Sequence, residues 1–229
     1  MAASEEQCDE LEAATSVCPL PNCAMAVEPS KLLQHLLNEH LLETPQAFGL
    51  RMRDVASGER SLLLLTQSQL KPGCDLCLGV LNWQGNGSGD LLEPQVDLPP
   101  RQQRLSGCLP VLAMACKTTW PALLSNTPQL QEDALSMGYL YLFWLVAPAT
   151  ARPVYAKLAL LNRQLQCGLR VTRRLRNFAE RVHIKEFLLG ADQFFITLSQ
   201  RQLQQICGSG SESNACFLEI IIEGERAEL

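Results

Sequence analysis

The chain is short of most things that catalysis, export or membrane insertion would need. Three histidines occur in 229 residues, charged residues make up 19% and aromatic residues 6%. Charge is below the usual quarter while hydrophobic residues reach 47%, which excludes a disordered chain and allows a sizeable core. No window approaches ~20 uninterrupted apolar residues, so no membrane span is expected. The longest apolar run, 139–148, has the length of a strand. Residues 1–16 (MAASEEQCDELEAATS) lack a basic stretch followed by an apolar one, so no secretory signal is expected. An intracellular location, cytoplasmic or nuclear, follows as an expectation, and a disulfide framework is disfavoured there. A net charge of −5 argues against a globally basic nucleic-acid binder. There is no GxGxxG, P-loop, GxSxG, HExxH or kinase set. No enzyme is expected.

What is present is cysteine, ten in all. The informative stretch is CPLPNCAMAVEPSKLLQHLLNEH, residues 18–40. Its cysteines and histidines form the series Cys18-x4-Cys23-x11-His35-x4-His40. Two thiols flank a turn containing proline, and two imidazoles follow on a short helix. This is the donor set and spacing of a tetrahedral Cys2His2 zinc site. One structural Zn2+ is expected, with no open position for substrate water. Glu28, Pro29 and Ser30 start the helix, with Ser30 as its N-cap, and Thr44-Pro45 ends it. Leu32, Leu33, Leu36, Leu37, Leu41 and Leu42 are more leucines than a DNA-reading helix can carry. The unit at 17–43 reads as a packing module.

The remainder divides into an acidic tail at 1–16 and a mainly β domain at 44–229. Phe48, Leu50, Met52 and Val55 alternate with polar residues, which predicts a strand. Residues 61–66, 74–83 and 108–116 predict further strands. Residues 84–106, rich in Gly, Pro and polar side chains, predict an exposed loop insertion. Residues 120–133 read as an irregular connection. From 137 to 222 short strands alternate with turns: 138–146, 154–161, 165–176, 194–198 and 216–223, with 186–191 as a short strand and turn. A helical turn is expected at 200–207 and a loop at 208–214. The absence of βαβ alternation predicts an antiparallel sandwich.

Cys74-x2-Cys77 lies in a strand-like context and reads as packing. Cys108, Cys116, Cys167, Cys207 and Cys216 stand singly in apolar surroundings and read as buried small hydrophobes. His183 reads as a surface residue. Arg163, Arg170, Arg173, Arg174, Arg176, Arg181 and Lys185 gather with Glu180 as their local counter-charge. In LRVTRRLR, alternation points Leu169, Val171 and Leu175 inward and most arginines outward. A solvated strand face is the plain reading. Arg170, Arg173, Arg174 and Arg176 are the candidate patch for an acidic peptide or RNA. No aromatics interleave with them, which weakens the nucleic-acid version.

Residues 17–40 resemble the second zinc finger of the seven-in-absentia (Siah) ubiquitin ligases. GYLYLFWLV, VYAKLALLN, GLRVTRRLR, FLLGAD, DQFFITLSQRQL and CFLEIIIEG, within 137–223, resemble the TRAF-like β-sandwich that follows that finger. The likeness is weak over 50–135. The resemblance implies a sandwich that docks a protein or peptide by pairing it to a strand edge, and a homodimer. It does not carry ligase activity, because the family's RING and first finger have no counterpart here. The expectation is a non-catalytic adaptor or decoy linked to ubiquitin-dependent regulation. Nucleic-acid binding through the finger and the basic strand at 170–176 is the alternative.

Overall fold

The computed structural model describes residues 15–41, 50–85, 94–124, 138–180, 193–207 and 215–225. The expectations for the tail at 1–14, Leu42, the helix stop at Thr44 and Pro45, Phe48, Arg181, His183, Lys185, 186–191 and 208–214 lie outside these residues. So do parts of the two predicted connections, at 86–93 and 125–137. The described chain is mainly β. No described helix is long and apolar enough to cross a membrane.

The N-terminal unit is a small hairpin and a helix. β1 (Ser16–Val17) pairs with β2 (Ala26–Val27), and a 3-10 turn (Pro29–Lys31) leads into α1 (Leu32–His35). α1 continues as a π-helical turn, Leu36–His40. The expected cap at Ser30 is not formed. The helix is entered two residues earlier, with Glu28 as N-cap and Pro29 at the first helical position, where its missing N–H costs nothing.

A six-stranded sheet contains β3 (Met52–Val55), β5 (Asp75–Trp83), β6 (Leu109–Thr119) and β7 (Tyr139–Ala147) in that order. Beyond β7, β10 (Arg176–Asn177) and β11 (Phe195–Ser199) share its far edge. A four-stranded sheet contains β4 (Arg60–Thr66), β12 (Ala215–Glu225), β8 (Val154–Leu161) and β9 (Cys167–Arg174), ordered β4-β12-β8-β9. α2 (Trp120–Leu124) follows β6, and α3 (Gln200–Cys207) follows β11.

Two pairings depart from the antiparallel expectation. β3 lies parallel to β5, and β10 lies parallel to β7. Both follow from chain crossings between the sheets. β4 belongs to the other sheet, so the chain re-enters as β5 in the direction of β3. β9 becomes β10 across Leu175 alone and keeps its direction.

Strand alternation explains the packing. Val111, Ala113 and Ala115 of β6, with Tyr141, Phe143 and Leu145 of β7, face the four-stranded sheet. There they meet Ala156, Leu158, Leu160, Leu218, Ile220 and Ile222. Their neighbours Leu112, Met114, Cys116, Leu142, Trp144 and Val146 point the other way and are also buried. The N-terminal unit covers them with Cys18, Leu20, Val27, Leu32 and Leu36. The six-stranded sheet is apolar on both faces because it is covered on both.

The expected exposed loop at 84–106 is corrected by its described part. Leu98, Leu105 and Cys108 are buried against Leu33 of α1. A 3-10 helix, Pro100–Leu105, carries Leu105. The side chain of Gln95 is buried: its Oε1 accepts from the Leu33 N–H at 2.8 Å, and its Nε2 donates to the Pro29 carbonyl at 3.0 Å. The Val96 N–H donates to the Ser30 carbonyl at 2.9 Å. The polar composition read as exposure is backbone pairing to the helix entry. Gln95→Ala would strand a buried donor at the start of α1, and the expected cost is ~2 kcal/mol in urea unfolding. Val96→Ala, at an exposed side chain, is the matched control and should change stability by less than ~0.5 kcal/mol.

Candidate metal centre

The four expected donors converge. Cys18 Sγ, Cys23 Sγ, His35 Nε2 and His40 Nε2 lie within 4.8 Å of one another. The two Nε2 atoms are 3.1 Å apart, Cys23 Sγ is 3.4 Å from His35, and Cys18 Sγ is 3.8 Å from His40. A regular tetrahedron with zinc-length bonds has N–N, N–S and S–S edges of about 3.3, 3.6 and 3.8 Å. The donors therefore fit one metal ion of this size and preference.

Local sequence chemistry sets this geometry. Cys18 follows β1, and its N–H donates to the Met25 carbonyl at 2.9 Å. The Cys23 N–H closes a tight turn on the Leu20 carbonyl at 3.2 Å. Pro21 occupies the second place of this turn, and Asn22 has φ 64°, a conformation asparagine tolerates. The histidines need a different device. In a regular α-helix, side chains five apart diverge by about 140° around the axis. The π-helical turn corrects this: the Leu41 N–H donates to the Leu36 carbonyl, five residues back, at 2.9 Å. His35 and His40 then sit on one side, with rings 4.9 Å apart and nearly perpendicular. π-turns of this kind cluster at functional sites because they re-aim side chains.

Burial lowers the pKa of both imidazoles, and for His40 the charge of His35 adds to the effect. Both are thus held in the neutral form that coordinates a metal. Burial raises the Cys18 thiol, chiefly through desolvation. That direction holds with no cation nearby; a coordinated divalent ion reverses it and takes up the thiolate. A third sulfur lies close by. Cys77 packs beside Cys18 and Cys23, its thiol pushed up to about 12 by burial, and it sits at a register shift in β5. Cys74 precedes β5 and is exposed.

The candidate arginines do not form one surface. Arg170 pairs with the buried Glu219 at 3.2 Å, and Arg60 pairs with the same carboxylate from the other side. Arg173 shares a face with Leu169 and Val171. Its Nε donates to the Phe195 carbonyl at 2.6 Å and so ties β9 to β11 across the two sheets. Arg174 lies 5.9 Å from the Phe194 ring centroid. Arg176, on β10, donates to the Glu180 carbonyl at 3.5 Å. Leu175 is buried, as the alternation predicts. The placement of Arg173 differs from the outward expectation because an edge strand lets a long side chain reach around to the facing sheet. Glu219 gave no signal in CFLEIIIEG beyond being a charge in a strand; its partners come from β4 and β9, far away in sequence.

A protein-family model described as a domain of unknown function, DUF4729, matches residues 17–209. The match begins at the hairpin and runs through α3, so the metal unit and most of both sheets fall inside it. No curated protein and no solved structure matches the chain.

The pKa directions set the sign of the acid response. The folded histidines hold fewer protons than the unfolded ones from pH 6.5 down to their lowered values, so stability falls with pH across that window. Metal coordination adds to the same sign, since its ligands must be deprotonated. Lowering the pH from about 7 to about 5 should release the metal and loosen the N-terminal unit. Metal content after gel filtration, with near-UV circular dichroism reporting Trp144 beneath that unit, checks this.

Proposed function

The chain belongs to the DUF4729 family, and we propose that this member is a non-catalytic protein-interaction module. A zinc-held finger braces a TRAF-like β-sandwich, and the sandwich captures an extended peptide along β9. One observation carries the reading. Among the described residues β9 pairs with β8 alone, leaving one edge free for strand addition. A cavity of about 390 Å3 opens beside the start of that edge, with Gly168 of β9 and Ile206 of α3 in its lining. Gln202 and Gln205 bring amide groups to it, and Leu198 and Ile206 bring apolar surface. Gly168 is required there: a Cβ would lie 2.5 Å from Ile206 Cγ1. Neutral polar and apolar lining suits the side chains of an extended peptide laid on β9.

The resemblance to the Siah family draws support from two features. One is the donor spacing from Cys18 to His40. The other is strand order: β4-β12-β8-β9 faces β3-β5-β6-β7-β11, and the last strand, β12, lies between β4 and β8, a non-sequential order suited to a TRAF-like sandwich. The metal assignment as Zn2+ rests on the Cys2His2 set and its tetrahedral edges. Four protein donors leave no position for a substrate water, which favours a bracing role over catalysis. The nucleic-acid alternative draws less support, because Arg170, Arg173 and Arg174 are engaged within the fold. An adaptor or decoy role in ubiquitin-dependent regulation, and a homodimer, belong to the same proposal by resemblance.

Peptide display against the zinc-loaded chain, followed by hydrogen exchange on the selected complex, tests the reading. Protection concentrated on Cys167–Arg174 and the adjoining residues of α3 is the expected result. Selection of no peptide, together with salt-dependent retention on RNA at physiological ionic strength, would transfer the function to nucleic acid.

A further inference from the structure

The cavity at the start of β9 has a neutral lining whose hydrogen-bonding groups are unevenly used. Four primary amides line it: Asn162 and Gln166 from the turn between β8 and β9, and Gln202 and Gln205 from α3. A primary amide carries an acceptor at one end and two donors at the other. Which end is left for a ligand depends on the bonds that already hold the group.

In the turn, Asn162 Oδ1 accepts from the Gln164 N–H at 3.0 Å and from the Gln166 N–H at 2.8 Å. A backbone N–H can only donate, so this end of Asn162 has to be its oxygen. Its Nδ2 then donates to Gln166 Oε1 at 2.9 Å, which fixes the Gln166 amide in turn. At the head of α3, Gln202 Oε1 accepts from the Ser199 N–H at 2.8 Å and from the Ser199 hydroxyl at 3.0 Å. The Gln202 N–H donates back to Ser199 Oγ at 3.3 Å, closing a capping box on the helix. The oxygens of Gln166 and Gln202 are therefore engaged in the fold. Their NH2 groups have no partner among the described residues.

We propose that this cavity selects a glutamate side chain of the peptide laid on β9, an inference that rests on the peptide-binding reading above. The fixed amides offer donors, and a carboxylate is the side-chain group that only accepts. Hydrogen bonds to an ionised acceptor are about twice as strong as neutral ones. No Asp or Glu lines the cavity to oppose the charge, and Arg163, Arg170 and Arg201 each stand beside a lining residue in the chain. Leu169, Leu198 and Ile206 supply apolar surface for the methylenes of glutamate. A lysine would bring more donors to NH2 groups that need acceptors, and a leucine would leave those groups unpaired in the complex.

The test takes peptides selected by display on the zinc-loaded full chain. Each position is replaced in turn by Glu, Gln, Leu and Lys, and affinity is read by fluorescence anisotropy. One position should favour Glu over Lys by roughly tenfold or more, with Gln between them. Gln202→Glu keeps an oxygen for the Ser199 N–H and exchanges the NH2 for a charged acceptor. It should weaken the Glu peptide by roughly tenfold and reverse the preference at that position toward Lys. Gln164→Glu adds the same charge to the turn at a residue outside the cavity lining, and should change affinity less than about threefold. The inference is overturned if a peptide that protects Cys167–Arg174 from exchange shows no Glu preference at any position. It is also overturned if the preference survives Gln202→Glu, or if Gln164→Glu abolishes it equally. Each of these results leaves edge pairing on β9 standing, whereas selection of no peptide removes both readings. Melting temperatures of the two variants matching that of the unaltered chain exclude misfolding.

Discussion

The constraint on which the rest depends is a sheet with two apolar faces. β6 and β7 bury one set of side chains toward the four-stranded sheet and the alternate set toward the N-terminal unit. A two-sheet arrangement covers one face of each sheet and leaves the other to water. Here Leu112, Met114, Leu142, Trp144 and Val146 would be an exposed patch without the metal unit. Patches of that size drive association or aggregation. The leucines of α1 are the complement of this face, which is why the helix is too apolar to read a groove of nucleic acid.

A unit this small cannot bury enough surface to fold by itself, and structural metals commonly supply what is missing. In this chain stability is shared. The four donors set the relative positions of hairpin and helix, the sheet supplies an apolar floor, and Gln95 with Leu98 and Leu105 supplies a clamp from the far side. The donor cluster and the clamp therefore act on the same helix from opposite ends. The π-turn between His35 and His40 belongs to this arrangement, because it aims both imidazoles inward while keeping Leu32, Leu33 and Leu36 buried.

Much of this was legible in the sequence. Cys18, Cys23, His35 and His40 stood out because metal ligands need fixed spacings that chance seldom supplies, and the leucines announced a docked helix. Strand positions followed from alternation and apolar length. What escaped was non-local. Gln95 lies in a polar stretch that reads as loop, and its partners at Pro29 and Leu33 come from more than sixty residues away. The parallel pairs depend on which sheet each strand joins, which periodicity does not encode. Cys167 read as buried yet lies exposed on the edge of β9. The arginines looked like one stripe, but Arg170 pairs with Glu219 within the four-stranded sheet while Arg173 reaches across to Phe195 of the facing sheet.

X-ray absorption at the zinc edge, on the full chain purified with its metal, tests most directly whether a Cys2His2 ion braces the sheet. The prediction is a four-coordinate shell of two sulfur scatterers at about 2.3 Å and two imidazole nitrogens at about 2.0 Å. A shell of oxygen and nitrogen without sulfur, or a folded chain that retains no metal at all, would contradict it.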